Sequence, residues 1–368
     1  MTRFWPTALS GTAATLLGIG LARFAFVPLF PAMVTAGWVE GEGAAILGAV
    51  ALATYLAGAL SGQALARRIG VPRALDAGAL LVVLSFAACA WNGGFWWLAF
   101  WRGLAGIAGG WLMTLAGPAV QAAVDPARRG LASGLVVAGV ASGITIGALV
   151  MPALLLGGPM TAWAALALGA GAAWLWAMRN WPRVPAPVAG MAGGWSPLLS
   201  AYALSAVGMV APMIYLSDLA VRAHGYSLAS GALAWACFGA GALCGTLAGG
   251  RIVDRIGGLN AARIWLWVQV AGMALLLLPV PVLVWPGAFA CGFAGVGVTA
   301  VMLALVREAY GARAPAVWVR STVGYAGAQA VTAFAAAALF AATNENHAAV
   351  FGMALLASLG AVAIRLRA

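Results

Sequence analysis

Lysine is absent from the 368-residue sequence, so all 19 basic side chains are arginine, while Asp and Glu together number only 8. A P-loop requires a lysine after its glycines, so this absence excludes the P-loop class of nucleotide hydrolases. Charged residues make up 7% of the chain and hydrophobic residues 64%. Such a chain cannot cover a soluble fold with polar surface. The composition therefore predicts a protein embedded in a lipid bilayer.

Clusters of metal-ligating or catalytic residues are also missing. Four cysteines lie inside apolar runs without a CxxC spacing: Cys89, Cys237, Cys244 and Cys291. The two histidines, His224 and His347, are far apart in the sequence. A metal or catalytic site requires several such groups at helical or turn spacing. We therefore expect no metal, no cofactor and no enzymatic activity.

Apolar segments of about 20 residues, the length of a membrane-spanning helix, follow one another with short loops. Six precede a Pro- and Gly-rich stretch, at 7–36, 43–66, 74–91, 95–123, 130–155 and 159–179. Six more follow it, at 197–221, 228–250, 261–284, 286–308, 315–343 and 347–365. The pattern predicts an all-α membrane protein with twelve transmembrane helices in two six-helix bundles. These bundles would comprise residues 1–179 and 197–368, joined by a linker at 180–196.

The arginines indicate how this chain is oriented. Sixteen of the nineteen fall on one side of the predicted map, whereas Arg222 falls on the other side with Glu40, Glu42 and Glu345. Because cytoplasmic loops carry an excess of basic residues, we expect both termini and the linker to be cytoplasmic, in a bacterial inner membrane. The net charge of +11 then reflects membrane topology, and we expect no nucleic-acid partner.

Two short charged segments repeat across the halves. GRIVDRIGG runs from Gly250 to Gly258 and QALARRIG from Gln63 to Gly70, so that their RIG triplets end 187 positions apart, about half the chain. Each segment lies between two apolar segments, which predicts a charged turn between two membrane helices in each half. In GRIVDRIGG the pattern G-x-x-x-D-R-x-G is complete. In QALARRIG, Gln63 and Arg67 stand in place of the first Gly and the Asp of this pattern.

The complete segment resembles the turn between helices 8 and 9 of the major facilitator superfamily. Arg102 and Gly106 resemble the R-x-x-x-G motif of helix 4 in that superfamily, and Gly139, Gly143 and Gly147 resemble the glycines of its helix 5. The opening GIGLARFAFVPLFPAM, from Gly18 to Met33, looks like the YbfB/YjiJ-type branch. The resemblance implies alternating access by two bundles and a cytoplasmic gate. The expected gating residues are Gly250, Asp254, Arg255, Gly257, Arg128 and Arg129.

Arg23 and Arg102 lie inside apolar segments, where an arginine at the bilayer centre costs about 2.5–3.5 kcal/mol. Both are expected in the external half of the first bundle, where they could share a substrate cavity. Snorkelling to the membrane interface is the alternative. Gly106, Gly109 and Gly110 continue the helical face of Arg102, which predicts packing against other helices instead of lipid.

Other polar groups in the apolar segments are candidates for substrate contacts or for hydrogen bonds between helices. They are Tyr55, Gln269, Tyr325 and Gln329. Asp218, at the external end of the seventh helix, is the candidate for proton coupling. Alternatively, it forms an ion pair with Arg222, four residues later on the same helix.

The sequence thus predicts a secondary transporter that binds a small-molecule substrate and functions as a monomer in the bilayer. Two arginines without counterparts in the second half favour an anionic or carboxylate-bearing solute over a cationic drug. The alternative is an exporter of neutral or amphipathic compounds, of the drug/proton antiporter type, in which both arginines hold the fold.

Overall fold

The computed structural model describes residues 4–125, 128–185, 196–310 and 314–365, and these residues are predominantly α-helical. The chain divides into two compact units, Met1–Val188 and Ala189–Ala368. Ten segments within the described residues are long and apolar enough to cross a membrane, and His347–Ala363 is a shorter apolar helix. The all-helical membrane class is therefore confirmed, whereas this count stops short of twelve.

The N-terminal unit contains seven α-helices among the described residues. They are α1 (Phe4–Thr15), α2 (Phe26–Thr35), α3 (Gly41–Ile69), α4 (Val71–Cys89), α5 (Phe95–Ala123), α6 (Arg129–Leu154) and α7 (Gly158–Ala177). The most extensive packing in this unit joins α3 to α5, and α4 packs on both α5 and α7. A Cβ added at Gly106 or Gly110 of α5 would collide with the α3 backbone. These glycines therefore let the two helices approach closely.

The predicted first segment, 7–36, is a broken helix instead of one continuous helix. α1 passes into a π-helical segment, Leu16–Leu21, and residues 22–25 form a turn before α2. Pro28 has no N–H to bond the Phe24 carbonyl, which instead accepts a bond from the Val27 N–H at 3.3 Å. The proline thus explains why regular α-helix is interrupted just before it.

The C-terminal unit contains six α-helices among the described residues. They are α8 (Pro197–Asp218), α9 (Leu228–Ile256), α10 (Gly258–Leu277), α11 (Val284–Tyr310), α12 (Ala314–Ala342) and α13 (His347–Ala363). A π-helical segment, Leu219–Ala223, extends α8. α9 packs on α11, and α8 packs on both α12 and α13. The α9–α11 pair relies on glycines, as α3–α5 does, because a Cβ at Gly245 would collide with Phe293.

Both repeated charged segments end in the same backbone conformation. Gly70 follows α3 with φ 87° and ψ 153°, and Gly257 follows α9 with φ 79° and ψ 157°. Each glycine is the single residue between two helices, and side chains disfavour this conformation. The repeated RIG triplets therefore mark structurally equivalent turns. The charged residues before each glycine extend the preceding helix instead of forming the turn itself.

Candidate functional site

Arg102 lies in the core of the N-terminal unit and is 2% exposed. Its Nη1 donates a hydrogen bond of 2.6 Å to the main-chain carbonyl of Ala22, in the turn between α1 and α2. Its guanidinium carbon lies 4.5 Å from the ring centroid of Phe26 and 5.9 Å from that of Trp163. Among the described residues, no carboxylate lies within ion-pair distance of Arg102. The side chain therefore stabilises the helix break directly.

Arg23 occupies the same turn, one residue after the carbonyl that Arg102 binds, and is only half-buried. Its guanidinium carbon lies 5.1 Å from the ring centroid of Phe24 and 5.8 Å from that of Tyr55 on α3. The structure thus brings Arg23 and Tyr55 together and places both arginines against the turn after the π-helical segment. Two arginine side chains therefore lie at one helix break.

Glycines join the helices that surround this turn. A Cβ added at Gly109 of α5 would collide with the backbone of Gly18, and one added at Gly143 of α6 would approach the Leu16 carbonyl at 3.2 Å. Gly106 and Gly110 pack on α3 in the same way. The prediction that this glycine face contacts other helices is therefore confirmed. The close packing holds the broken helix without large side chains between the backbones.

Tyr325 and Gln329 share one face of α12, directed towards α8. The Tyr325 ring lies 4.4 Å from that of Tyr202, whose hydroxyl contacts the Thr299 hydroxyl at 3.1 Å. Gln329 is buried, with its Nε2 3.4 Å from the Met213 sulfur. The two predicted polar groups therefore lie together within the C-terminal unit. Tyr202, which sequence reasoning missed, is the aromatic centre of this group.

Gln269 joins α10 to its neighbours and is buried. Its Nε2 donates to the Ser205 carbonyl at 2.9 Å and contacts the Ser358 hydroxyl at 3.0 Å. These are hydrogen bonds between helices, which is one of the two roles predicted for this residue. Their geometry shows how a lone amide can connect three membrane helices.

Asp218, at the end of α8, is fully buried. Its two carboxylate oxygens accept hydrogen bonds from Arg222 Nε at 2.6 Å and Arg222 Nη2 at 2.8 Å. His347 Nε2 lies 2.7 Å from Asp218 Oδ2. Arg222 also pairs with Glu345 through Nη1. The ion pair with Arg222 that the spacing predicted is therefore present, but His347 was missed because it lies 129 residues from Asp218 in sequence.

Two carboxylates outside the predicted sites bind main-chain or indole N–H groups. Glu308 of α11 accepts from the Gly258 N–H at the start of α10, at 2.9 and 3.2 Å. Asp76 of α4 accepts from Trp174 Nε1 at 3.0 Å and Trp181 Nε1 at 2.7 Å. Neither contact has a sequence signal, because the partners come from distant helices. Both contacts tie helix ends together within one unit.

Nearly the whole length of the chain resembles the folds of several solved transporters. A D-xylose-proton symporter is 16% identical with a TM-score of 0.72, over 99% of this chain and 98% of that one. A mutant of the nucleoside transporter NupG is 11% identical with a TM-score of 0.74, over 97% and 98%. The peptide transporter POT, as a mutant in complex with sulfate, is 15% identical with a TM-score of 0.76, over 98% and 94%. At these identities the likeness establishes the fold alone.

A family model described as "Uncharacterised MFS-type transporter YbfB" matches residues 15–365. The chain belongs to this family of major facilitator superfamily (MFS) transporters. A search of proteins with curated functions gave no match. The family and the structural neighbours are transporters and not enzymes, so the predicted class of multi-pass membrane transporter is confirmed.

The gating residues expected of an MFS transporter are partly described. Gly257 forms the turn after α9, and Arg255 is exposed two residues earlier. Arg128 is exposed at the start of α6, with its guanidinium carbon 5.4 Å from the Phe4 ring centroid. The side-chain surroundings of Gly250, Asp254 and Arg129 lie outside what the structure describes. Their gating roles remain predictions.

Proposed function

We propose that this MFS transporter moves a small anionic or carboxylate-bearing solute across the bacterial cytoplasmic membrane by alternating access. The observation that carries the proposal is the convergence of Arg23 and Arg102 on one helix break in the N-terminal unit. Arg102 is buried, its Nη1 bonds the Ala22 carbonyl, and its guanidinium packs against two rings. Arg23 is the more accessible of the two cations. A solute carboxylate beside Arg23 would be attracted to this cation.

Arg23 suits this role because a guanidinium can engage two carboxylate oxygens at once. Tyr55, whose ring contacts the same guanidinium, limits its orientations and offers a hydroxyl to a polar solute. Tyr325 and Gln329 form a second polar group, in the C-terminal unit, and we propose that they also contact the solute. Arg102 would then position Arg23 by fixing the turn on which Arg23 lies.

We further propose that twelve helices cross the membrane. α1 and α2 together make the first crossing. The candidate span Gly134–Ala177 is 44 residues long and contains most of α6 and all of α7. The two helices are separated just before Gly158, where φ is 79°. Dividing that span and adding α13 gives six crossings in each half. A monomer with cytoplasmic termini and a cytoplasmic gate at Asp254, Arg255 and Arg128 completes the proposed arrangement.

A proton is the proposed coupling ion, and Asp218 is the proposed coupling carboxylate. The neighbour named a D-xylose-proton symporter shares the fold and supports a proton as the ion to test first. Asp218 is buried at a helix end and paired with both Arg222 and His347, so a change in the protonation of this group would alter these pairs.

Export of a neutral or amphipathic compound is the second candidate function. It is favoured by the contacts of Arg102, which bonds a main-chain carbonyl and packs on aromatic rings as a structural side chain does. If Arg23 serves the same structural purpose, nothing at the helix break selects for an anion.

Proteoliposome uptake would separate the two functions. The full-length protein is tested against labelled small carboxylates, phosphate esters and neutral amphipathic compounds, with and without a pH gradient. For the best carboxylate, we expect Arg23→Gln to lower the binding affinity about tenfold or more, because hydrogen bonds to charged groups contribute about 1.5–3 kcal/mol. Ligand-dependent thermal stabilisation in detergent measures this affinity. Arg23→Lys should weaken it less.

Arg68→Gln is the matched control, since it removes an exposed arginine from the same unit and should leave ligand binding unchanged. Equal affinity of Arg23→Gln and the unaltered protein for the carboxylate would overturn the anion proposal. Uptake of only neutral amphipathic compounds would favour the second function.

A further inference from the structure

A cavity of about 630 Å³ opens beside the ion pairs at one end of the C-terminal unit. Polar side chains on its wall are Arg222, His224, Glu345, Asn346 and His347, and the remainder is mostly Leu, Ala and Pro. This end is formed by the π-helical extension of α8, the α10–α11 connection and the loop between α12 and α13. The cavity gives water a route to groups that are otherwise buried.

His347 connects this cavity to a fully buried carboxylate. One ring nitrogen, Nε2, lies 2.7 Å from Asp218 Oδ2, and the residue also lines the cavity. Imidazole has two nitrogens, so a ring bonded to a carboxylate through one can take up a proton at the other. The Phe340 ring packs edge-on against His347 with centroids 5.1 Å apart. This contact holds the imidazole against Asp218.

The charged and titratable groups around His347 come from three segments. Asp218 and the neutral Tyr215 belong to α8, Arg222 and His224 to the residues that follow α8, and Glu345 to the loop before α13. Burial, and secondarily the charge of His347, holds the pKa of His224 below its usual value. With His347 neutral, one arginine faces two carboxylates. With His347 protonated, two cations face two anions.

The loop that carries Glu345 has an unusual backbone. Asn344 and Glu345 both adopt left-handed φ values, 52° and 61°, although neither is glycine. Such a conformation is unfavourable for a residue with a side chain. It is maintained here where Glu345 pairs with Arg222 and where Asn346 caps α13 by accepting from the Ala348 N–H at 2.9 Å. The loop thus holds His347 at a fixed place beside α8.

We propose that His347 is a proton-binding site that senses pH, with Asp218 as its counter-charge, and that the bound proton strengthens the junction between α8 and α13. This inference goes beyond the proposed transport function. It relies on the proposed topology only for the side of the membrane that is sensed, which is the external side. The proton comes from water in the cavity and returns to it, and no other group is consumed.

The expected effect on stability has a definite sign. Protonated His347 attracts Asp218 in the folded state, and this attraction is lost on unfolding. The stabilisation is present at acidic pH and is lost as the pH rises and imidazole loses its proton. Ordinary carboxylates titrate near pH 4 and imidazole near pH 6.5. A scan from pH 5.5 to 8 therefore reports mainly on histidine.

The test is thermal unfolding of the full-length protein in detergent across this pH range, without a polyhistidine tag. We expect the unaltered protein to lose on the order of a few degrees in Tm as the pH rises. His347→Gln keeps a hydrogen-bond donor for Asp218 but cannot be protonated, so its Tm should not fall. His224→Gln, the matched control on the same cavity, should retain the fall. Retention of the full decrease in His347→Gln would overturn the proposal.

Histidine ring NMR provides a second readout, because the chain has only two histidines and His224→Gln leaves one. The remaining ring should change from imidazolium to neutral imidazole within the scan, and a ring that stays neutral throughout would also overturn the proposal. If the Asp218→Asn protein folds, its Tm should no longer fall as the pH rises. If this variant does not fold, the His347→Gln result alone tests the proposal. Neither readout involves solute transport, so this proposal can fail independently of the proposed function.

Discussion

Asp76 shows how one side chain can connect three parts of a membrane bundle. Its Oδ1 accepts from Trp174 near the end of α7 and from Trp181 beyond that end. Asp76 is half-buried, and even partial burial of a carboxylate is costly unless hydrogen bonds compensate. The two indole donors compensate Asp76 and attach the segment after α7 to α4.

We predict that Asp76→Ala lowers the free energy of unfolding by about 1.5–3 kcal/mol, the range for hydrogen bonds to a charged group. Both indole N–H groups lose their acceptor in this variant. Asp76→Asn keeps an acceptor oxygen and should lose less. Thermal unfolding in detergent measures the stability of both variants. If the Asp76→Ala protein unfolds at the Tm of the unaltered protein, the indole contacts do not contribute to stability.

For the two intramembrane arginines, the sequence indicates that each side chain needs a partner but not which group that partner is. Their apolar surroundings predicted that each needs a partner. The partner of Arg102 is the Ala22 carbonyl, 80 positions away, and it is available because a helix breaks there. A main-chain carbonyl occurs at every residue, so no pattern of residue types could identify this one.

At the level of elements, single glycines turn the chain between adjacent helices. Gly257 and Gly70 share a positive φ, and nothing lies within 4 Å of a Cβ added at either residue. A substitution there would therefore affect the backbone conformation and not the packing. The common conformation gives each half the same helix pair around a one-residue turn.

We predict that Gly257→Ala destabilises the protein by about 1–3 kcal/mol, the cost of holding a side-chain residue in such a conformation. Gly352→Ala in α13 is the matched control, because nothing lies within 4 Å of its added Cβ and its φ is ordinary. Alanine favours helix over glycine by about 1 kcal/mol, so the control should be neutral or more stable. Equal Tm values for the two variants would contradict the assigned turn.

Element boundaries were predictable where apolar length decides them and not where local geometry does. Most predicted segments overlap an observed helix. The break in the first segment depends on how Pro28, the π-helical segment and the packing glycines act together, and hydropathy does not register it. Likewise, α3 and α9 run through their charged ends, because arginine near a helix C-terminus interacts favourably with the helix dipole.

At the level of the whole molecule, the arginine distribution predicts which ends of the helices face the cytoplasm. In a cysteine-free background, Arg67→Cys and a linker cysteine at Met191→Cys should react with a membrane-impermeant thiol reagent only from the cytoplasmic side. Glu42→Cys should react only from outside. The background must lack Cys244, which is exposed.

Each position provides a control for the others, because opposite sidedness within one labelled preparation excludes leaky membranes. Labelling of the linker from outside would overturn the twelve-helix topology, since an odd number of crossings would then precede the linker.

The sequence alone determined the membrane class, the repeated halves and the type of transporter family. Apolar length, charge placement and a spaced motif all depend only on the order of residues along the chain. The tertiary structure decided which distant groups meet. Asp218 binds His347 across 129 positions, and the Tyr325 ring packs against that of Tyr202 between α12 and α8. Such contacts depend on how rigid helices pack, and in lipid that packing is set by glycine contacts and interhelical hydrogen bonds and not by a hydrophobic pattern.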